Sequence, residues 1–285
     1  MLKFDTVVMN PPYQSSQVIK NANGKRGRGD KHLLWPKFIT KALEISKDSG
    51  YICAIHPSKW RKPTDPMWKI MRQNQIDYLE IHNASDGKRT FGCSTRYDWY
   101  VIQKTPPYKN TIVKDQNGCE DVVNTKELSI LPNAKIKEIN ELIAKNDEER
   151  VNILYSCSYH HTYPYMSREK TSEHIYPCIY SISVKGEPNC YYSNTNKKGH
   201  FGIPKIIFAS GGVKSIGFII DEKGEYGMTE FAKGIVDDPS IMPLIKEAMS
   251  SQKFRELAEC FSMSANELDK DVLGLFRKNF WEKFK

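Results

Sequence analysis

No run of 18 consecutive apolar residues occurs in this sequence, so no membrane span is expected. The opening residues also lack the charged and then apolar pattern of a secretory signal. There is no Cys-x-x-Cys pair. The seven cysteines, at 53, 93, 119, 157, 178, 190 and 260, are odd in number and irregularly spaced. That pattern argues against a disulfide framework and for reduced thiols in a cytoplasmic setting, or the interior of a virion or host cell if the gene is viral. Cys157, His160, His161, Cys178 and Cys190 match no familiar zinc spacing, so no metal site is expected. Internal repeats and low-complexity segments are missing as well. Negative charge is in the minority, with 34 acidic against 42 basic residues and a net charge of +8. A basic chain favours a polyanionic partner through phosphate contacts. With 285 residues, 39% of them hydrophobic, the chain has ample mass for a core.

What is present begins almost at once. Phe4–Met9 reads as a short buried strand running straight into Asn10-Pro11-Pro12-Tyr13. Such a loop is stiffened by its prolines and presents a polar amide beside an aromatic face. That pairing suits a flat, extruded nucleobase with an exocyclic amine.

The residues that follow alternate between helix and strand patterns. A helix fits 33–47, with Leu34, Phe38, Ala42 and Ile45 at helical spacing, and an apolar strand fits 51–55. Asp65 caps a further helix that has Pro66 at its first position. Strand 77–82, a loop over 83–95 and strand Tyr97–Gln103 complete an α/β pattern that stops at Pro106-Pro107. Sheets of this kind place ligands at the carboxyl ends of their strands, where Asn10–Tyr13 lies.

These residues resemble the adenine-N6 DNA methyltransferases of restriction–modification systems, with the Asn-Pro-Pro-Tyr block in the place of the catalytic motif. Phe38, Gly50-Tyr51 and Pro57-Ser58-Lys59-Trp60 fit the family's segments behind that motif, and the resemblance extends to about residue 104. It implies the fold class: a partial Rossmann-like class I methyltransferase sheet, the catalytic half, over 1–107. An α+β target-recognition-like region follows over 108–285. The resemblance further implies S-adenosylmethionine as methyl donor, double-stranded DNA as substrate and base flipping as the route to the target. Asn10 and Pro11 would accept the two N6 hydrogens, Pro12 would stiffen the loop, and Tyr13 would stack on the base. A second aromatic should cover the other base face, and Phe91 stands where it is expected. Lys25, Arg26 and Arg28 in a glycine-rich basic stretch, and Lys59, Arg61 and Lys62 behind a strand end, are candidate contacts to the DNA backbone.

From residue 108 the pattern changes. A helix fits 134–145, strands fit Lys205–Ala209 and 217–221, and helices fit 240–260 and a segment starting at Ser264 with a capping box to Glu267. Gly211-Gly212 lacks the third glycine and the acidic partner of a cofactor loop and reads as a turn. The family carries a glycine-rich turn for its cofactor, and nine residues precede Asn10 here. The expectation is therefore a split enzyme, whose partner chain supplies that turn and the cofactor-binding half. The alternatives are a catalytically inactive DNA-binding or interaction module, and a fold in which residues 108–285 cover the open strand edge.

Overall fold

The computed structural model describes residues 2–14, 33–209, 211–263 and 267–285. They divide into two compact units, Met1–Ile136 and Lys137–Lys285. The division expected after Pro107 falls inside the first unit, because two further strands extend its sheet.

In the first unit β1 (Phe4–Met9) leads to α1 (Trp35–Ile45), β2 (Ser46–Pro57), a 3-10 turn at Ser58–Arg61, and α2 (Pro66–Met71). β3 (Gln75–His82), α3 (Ala84–Phe91), β4 (Tyr97–Gln103), β5 (Thr111–Lys114) and β6 (Glu120–Val123) follow. The strands form one sheet in the order β1-β2-β4-β3-β5-β6. β1 pairs parallel with β2, whereas β4 runs antiparallel to both β2 and β3. The carboxyl ends of β1, β2 and β3 therefore share one end of the sheet with the start of β4. Pro57 and His82 both register with Tyr97 there.

Helical periodicity places Trp35, Ile39 and Ala42 on one buried face of α1. They join Ile52, Trp60, Trp68, Leu79, Tyr100 and Ile102 in the core. Asp65 caps α2 as expected, its carboxylate accepting from Met67 N at 2.8 Å, with Pro66 at the first helical position. β1 differs from the expectation of a buried strand. Only Val7 and Met9 pack toward the core, while Val8 is 77% exposed. The reason is its place at the sheet edge, with β2 as its one neighbour among the described residues.

The core of this unit also holds His56. Its ring stacks on Trp35 with centroids 4.0 Å apart, and Nε2 lies 2.9 Å from the Tyr100 hydroxyl. Burial pushes its pKa down to about 3. An unfolded chain takes up a proton near pH 6.5 that the folded chain refuses, so stability falls as pH drops from 6.5 toward 3. At pH 4.5, two units below the free value, this group alone costs roughly 2–3 kcal/mol. Urea titrations at pH 7 and 4.5 should show that loss, and His56→Phe should remove it.

In the second unit α4 (Ile136–Asn140) leads into two four-stranded sheets. Their strands are β7 (Asn152–Leu154), β8 (Met166–Ser167), β9 (Tyr176–Ile182), β10 (Pro188–Ser193), β11 (Lys205–Ala209), β12 (Phe218–Asp221), β13 (Gly227–Met228) and β14 (Ala232–Val236). One sheet runs β13-β9-β10-β8 and the other β12-β11-β14-β7. Lys205 and Asp221 meet across β11 and β12 as a buried ion pair at 2.6 Å. α5 (Met242–Ser250), α6 (Gln252–Phe261) and α7 (Lys270–Leu273) close the unit. The single helix expected over 240–260 is broken at Ser251, whose hydroxyl accepts from Phe254 N and so starts α6. The helix expected over 134–145 is only one turn long, and the Ser264 cap lies outside the described residues. No helix among the described residues is long and apolar enough to cross a membrane.

Candidate active site

Asn10 is exposed where β1 ends, Pro11 behind it is buried, and Tyr13 is half-buried against the core. The backbone at Tyr13 is pinned, since its carbonyl accepts from Leu34 N at 3.1 Å and Gln14 bridges to Leu33. The loop is thus tied to the start of α1.

Phe91 reaches the same place from another part of the chain. Residues 83–95, expected as a loop, contain α3, which the sequence punctuates clearly. Asn83 accepts from Ser85 N and Asp86 N, while Asp86 accepts from Asn83 N, a reciprocal capping box. Gly92 stops the helix at φ 72°, a conformation that favours glycine. Gly87 lets the following segment return closely, because a Cβ there would sit 1.9 Å from the Thr95 carbonyl oxygen. These signals place Phe91 at the end of α3, edge-on to Tyr13 with ring centroids 6.0 Å apart. Phe91 in turn rests on Tyr97 at 4.9 Å, and Tyr97 stacks on His82 at 4.4 Å. Tyr97 and His82 were not singled out from the sequence, and their strand pattern carries no sign of the role.

Tyr13 is held as a neutral phenol, its pKa raised chiefly by burial and further by the neighbouring Cys93 and Tyr97. The site therefore offers an exposed amide, a stiff proline pair and an aromatic pair at one end of the sheet. That arrangement suits an uncharged amine that must be oriented and polarised.

Two groups of candidate phosphate contacts fare differently. Lys25, Arg26 and Arg28 lie outside the described residues. Lys59 is exposed and Lys62 half-buried beside the site's end of β2. Arg61 is corrected: its side chain is fully buried and cannot reach a phosphate. Its Nε and Nη2 donate to Asp98 at 2.8 and 3.2 Å, Nη1 donates to Leu131 O, and Nη2 also donates to Asn133. Trp60 Nε1 donates to the same Asp98 carboxylate at 2.7 Å. Burial raises the Asp98 pKa against the opposing pull of Arg61 and Trp60. A basic residue on a 3-10 turn can point either way, and the buried acid on β4 decides here.

Residues 1–90 match the family model of the Eco57I restriction-modification methylases. In that stretch, this chain resembles an adenine methylase. A Mycoplasma pneumoniae protein described as an uncharacterized adenine-specific methylase is 31% identical over 94 residues, covering 32% of this chain and 21% of the relative. The chain thus spans about a fifth of the length of the curated relative it matches. The structure of the type IIL restriction-modification enzyme MmeI in complex with DNA matches 95% of this chain and 45% of its own, with 8% identity and a TM-score of 0.53. A nuclease-deletion mutant of the type ISP enzyme LlaGI with a DNA substrate mimic matches 97% of this chain and 40% of its own, with 10% identity and a TM-score of 0.51. At such identities these likenesses show the fold alone.

The turn expected at Gly211-Gly212 is formed. Gly211 bridges to Glu267, and Gly212 opens a three-residue 3-10 turn and not a helix.

Proposed function

We propose that this chain supplies the base-binding and methyl-accepting half of an S-adenosylmethionine-dependent DNA adenine-N6 methyltransferase. The observation that carries the proposal is the meeting of Asn10–Tyr13 with Phe91 at the carboxyl end of the β1 side of the sheet. An adenine amine is a poor nucleophile because its lone pair is delocalised into the ring. The Asn10 side-chain oxygen and the Pro11 carbonyl accept its two hydrogens, which favours a pyramidal nitrogen and frees the lone pair for attack. Tyr13 stacks on the extruded base and offsets the few kcal/mol that unstacking costs. Phe91, edge-on to Tyr13, braces that ring from the side and does not form the second face expected of it. When bound, the cofactor supplies the electrophilic methyl group.

Asn10, Pro11, Pro12 and Tyr13 are the catalytic loop on this reading, and Lys59 and Lys62 are backbone contacts. The second unit reads the bases around the target, in keeping with its aromatic-rich sheets. The exposed, apolar edge of β1 is where the cofactor-binding half pairs, since a bare edge strand is otherwise an aggregation hazard.

The test is co-purification from the native source, followed by transfer of labelled methyl from S-adenosylmethionine to duplex DNA. The complex should form N6-methyladenine, and the purified chain alone should bind DNA but not the cofactor. Cofactor binding by the chain alone overturns the assignment of the cofactor-binding half to residues outside it. A complex that binds DNA and transfers no methyl group makes the chain a binding module.

A further inference from the structure

The second unit contains a cluster that the methyltransferase reading does not use. His160 and His161 lie on the connection between β7 and β8, and Glu230 lies between β13 and β14. One ligand atom from each comes within 4.8 Å of the others, and all three side chains are half-buried. Among the described residues this is the one such grouping of His, Cys, Asp or Glu. The candidate set read from the sequence is thereby reorganised: its two histidines join a glutamate 69 residues away, and its cysteines stay apart.

We infer that His160, His161 and Glu230 bind a zinc-class divalent cation. Two imidazoles and a carboxylate form a three-ligand donor set typical of zinc sites that keep a position open. His160 Nε2 stands 3.5 Å from Glu230 Oε1. Ligands about 2.0–2.1 Å from a tetrahedral ion are about 3.3 Å from each other, so this edge is already near its bound length. His161 Nδ1 directly contacts the same carboxylate oxygen, and this is the edge that must open to admit the ion.

The surroundings hold the donors in place. The His161 backbone N–H binds Glu230 Oε2 at 3.2 Å, orienting the carboxylate. His160 Nδ1 lies 2.9 Å from the Thr162 hydroxyl, which leaves Nε2 to face the ion. A partner on the far ring nitrogen is the usual way that a ligating histidine is positioned. Tyr163, Tyr180, Tyr191 and Phe231 pack around the two imidazoles. Glu230 and Phe231 also line a cleft of about 630 Å³ with Tyr155, Tyr180 and Lys233. The cation's open position is therefore within reach of water or an anion in that cleft.

Equilibrium dialysis of the purified full chain against Zn²⁺ tests the site. One ion per chain is expected, with affinity lowered about 100-fold or more in Glu230→Gln and in His161→Ala. Cys157→Ser, which alters an exposed thiol, should bind as the unaltered chain does. Circular dichroism checks that each variant is folded. Should Glu230→Gln fail to fold, His160→Gln decides, because that side chain is the most exposed of the three. No stoichiometric uptake by the unaltered chain overturns the inference. Uptake that survives both ligand substitutions, or that is lost in Cys157→Ser, overturns it equally.

Discussion

Replacing Asn10 by alanine is expected to lower methyl transfer by about 10²–10³-fold in the assembled enzyme, the usual effect of deleting one preorganised polar group at a site of developing charge. The loss should fall on turnover. DNA affinity should hold, because phosphate contacts made elsewhere supply most of it. Folding should hold too, since the Asn10 side chain is exposed at the end of β1 and a surface substitution typically changes stability by less than about 0.5 kcal/mol. Single-turnover methylation and a DNA titration on the same preparation separate these effects. Methylation at an undiminished rate would remove Asn10, and with it the proposed catalytic loop, from the chemistry.

The largest stability change is expected from Asp98→Ala. The Arg61–Asp98 pair is wholly withdrawn from solvent. Without Asp98, the Arg61 guanidinium remains buried with only the Leu131 and Asn133 oxygens as acceptors, and Trp60 Nε1 loses its acceptor. Removing one partner from a buried pair costs about 3–5 kcal/mol. Against a typical total of about 5–15 kcal/mol, that would leave the first unit barely folded. The double variant Arg61→Met, Asp98→Leu should be more stable than Asp98→Ala alone, because no uncompensated charge stays in the core. Urea unfolding of the three proteins measures this, and a loss below about 1 kcal/mol in Asp98→Ala would mean that solvent reaches the pair.

Much of the site could be read before any coordinates. The Asn10–Tyr13 block announces a stiff loop after a strand, and Asp65-Pro66 announces a helix start that the structure reproduces. The capping box at Asn83 and Asp86, with Gly92 as a stop, is equally legible, although the composition of residues 83–95 favours a loop. Its dominant signal, a short polar stretch without an apolar face, outweighed the caps. Arg61 shows the opposite failure. Its place in a basic group suggested a surface role, and only the depth of Asp98 on a neighbouring strand reveals the buried pair.

Local features follow from the chain alone: most of the strands and helices in the first hundred residues, and the four residues that form a rigid, amide-bearing loop. Those properties depend on backbone restriction and side-chain periodicity within a few residues, so neighbours in the chain suffice. The tertiary structure decided everything that joins distant residues. Phe91 meets Tyr13, Glu230 meets the two histidines, and β1 becomes an edge strand with Val8 exposed. Such pairings depend on strand order and register, which balance many weak contacts across the whole sheet and leave no local mark on the residues they bring together.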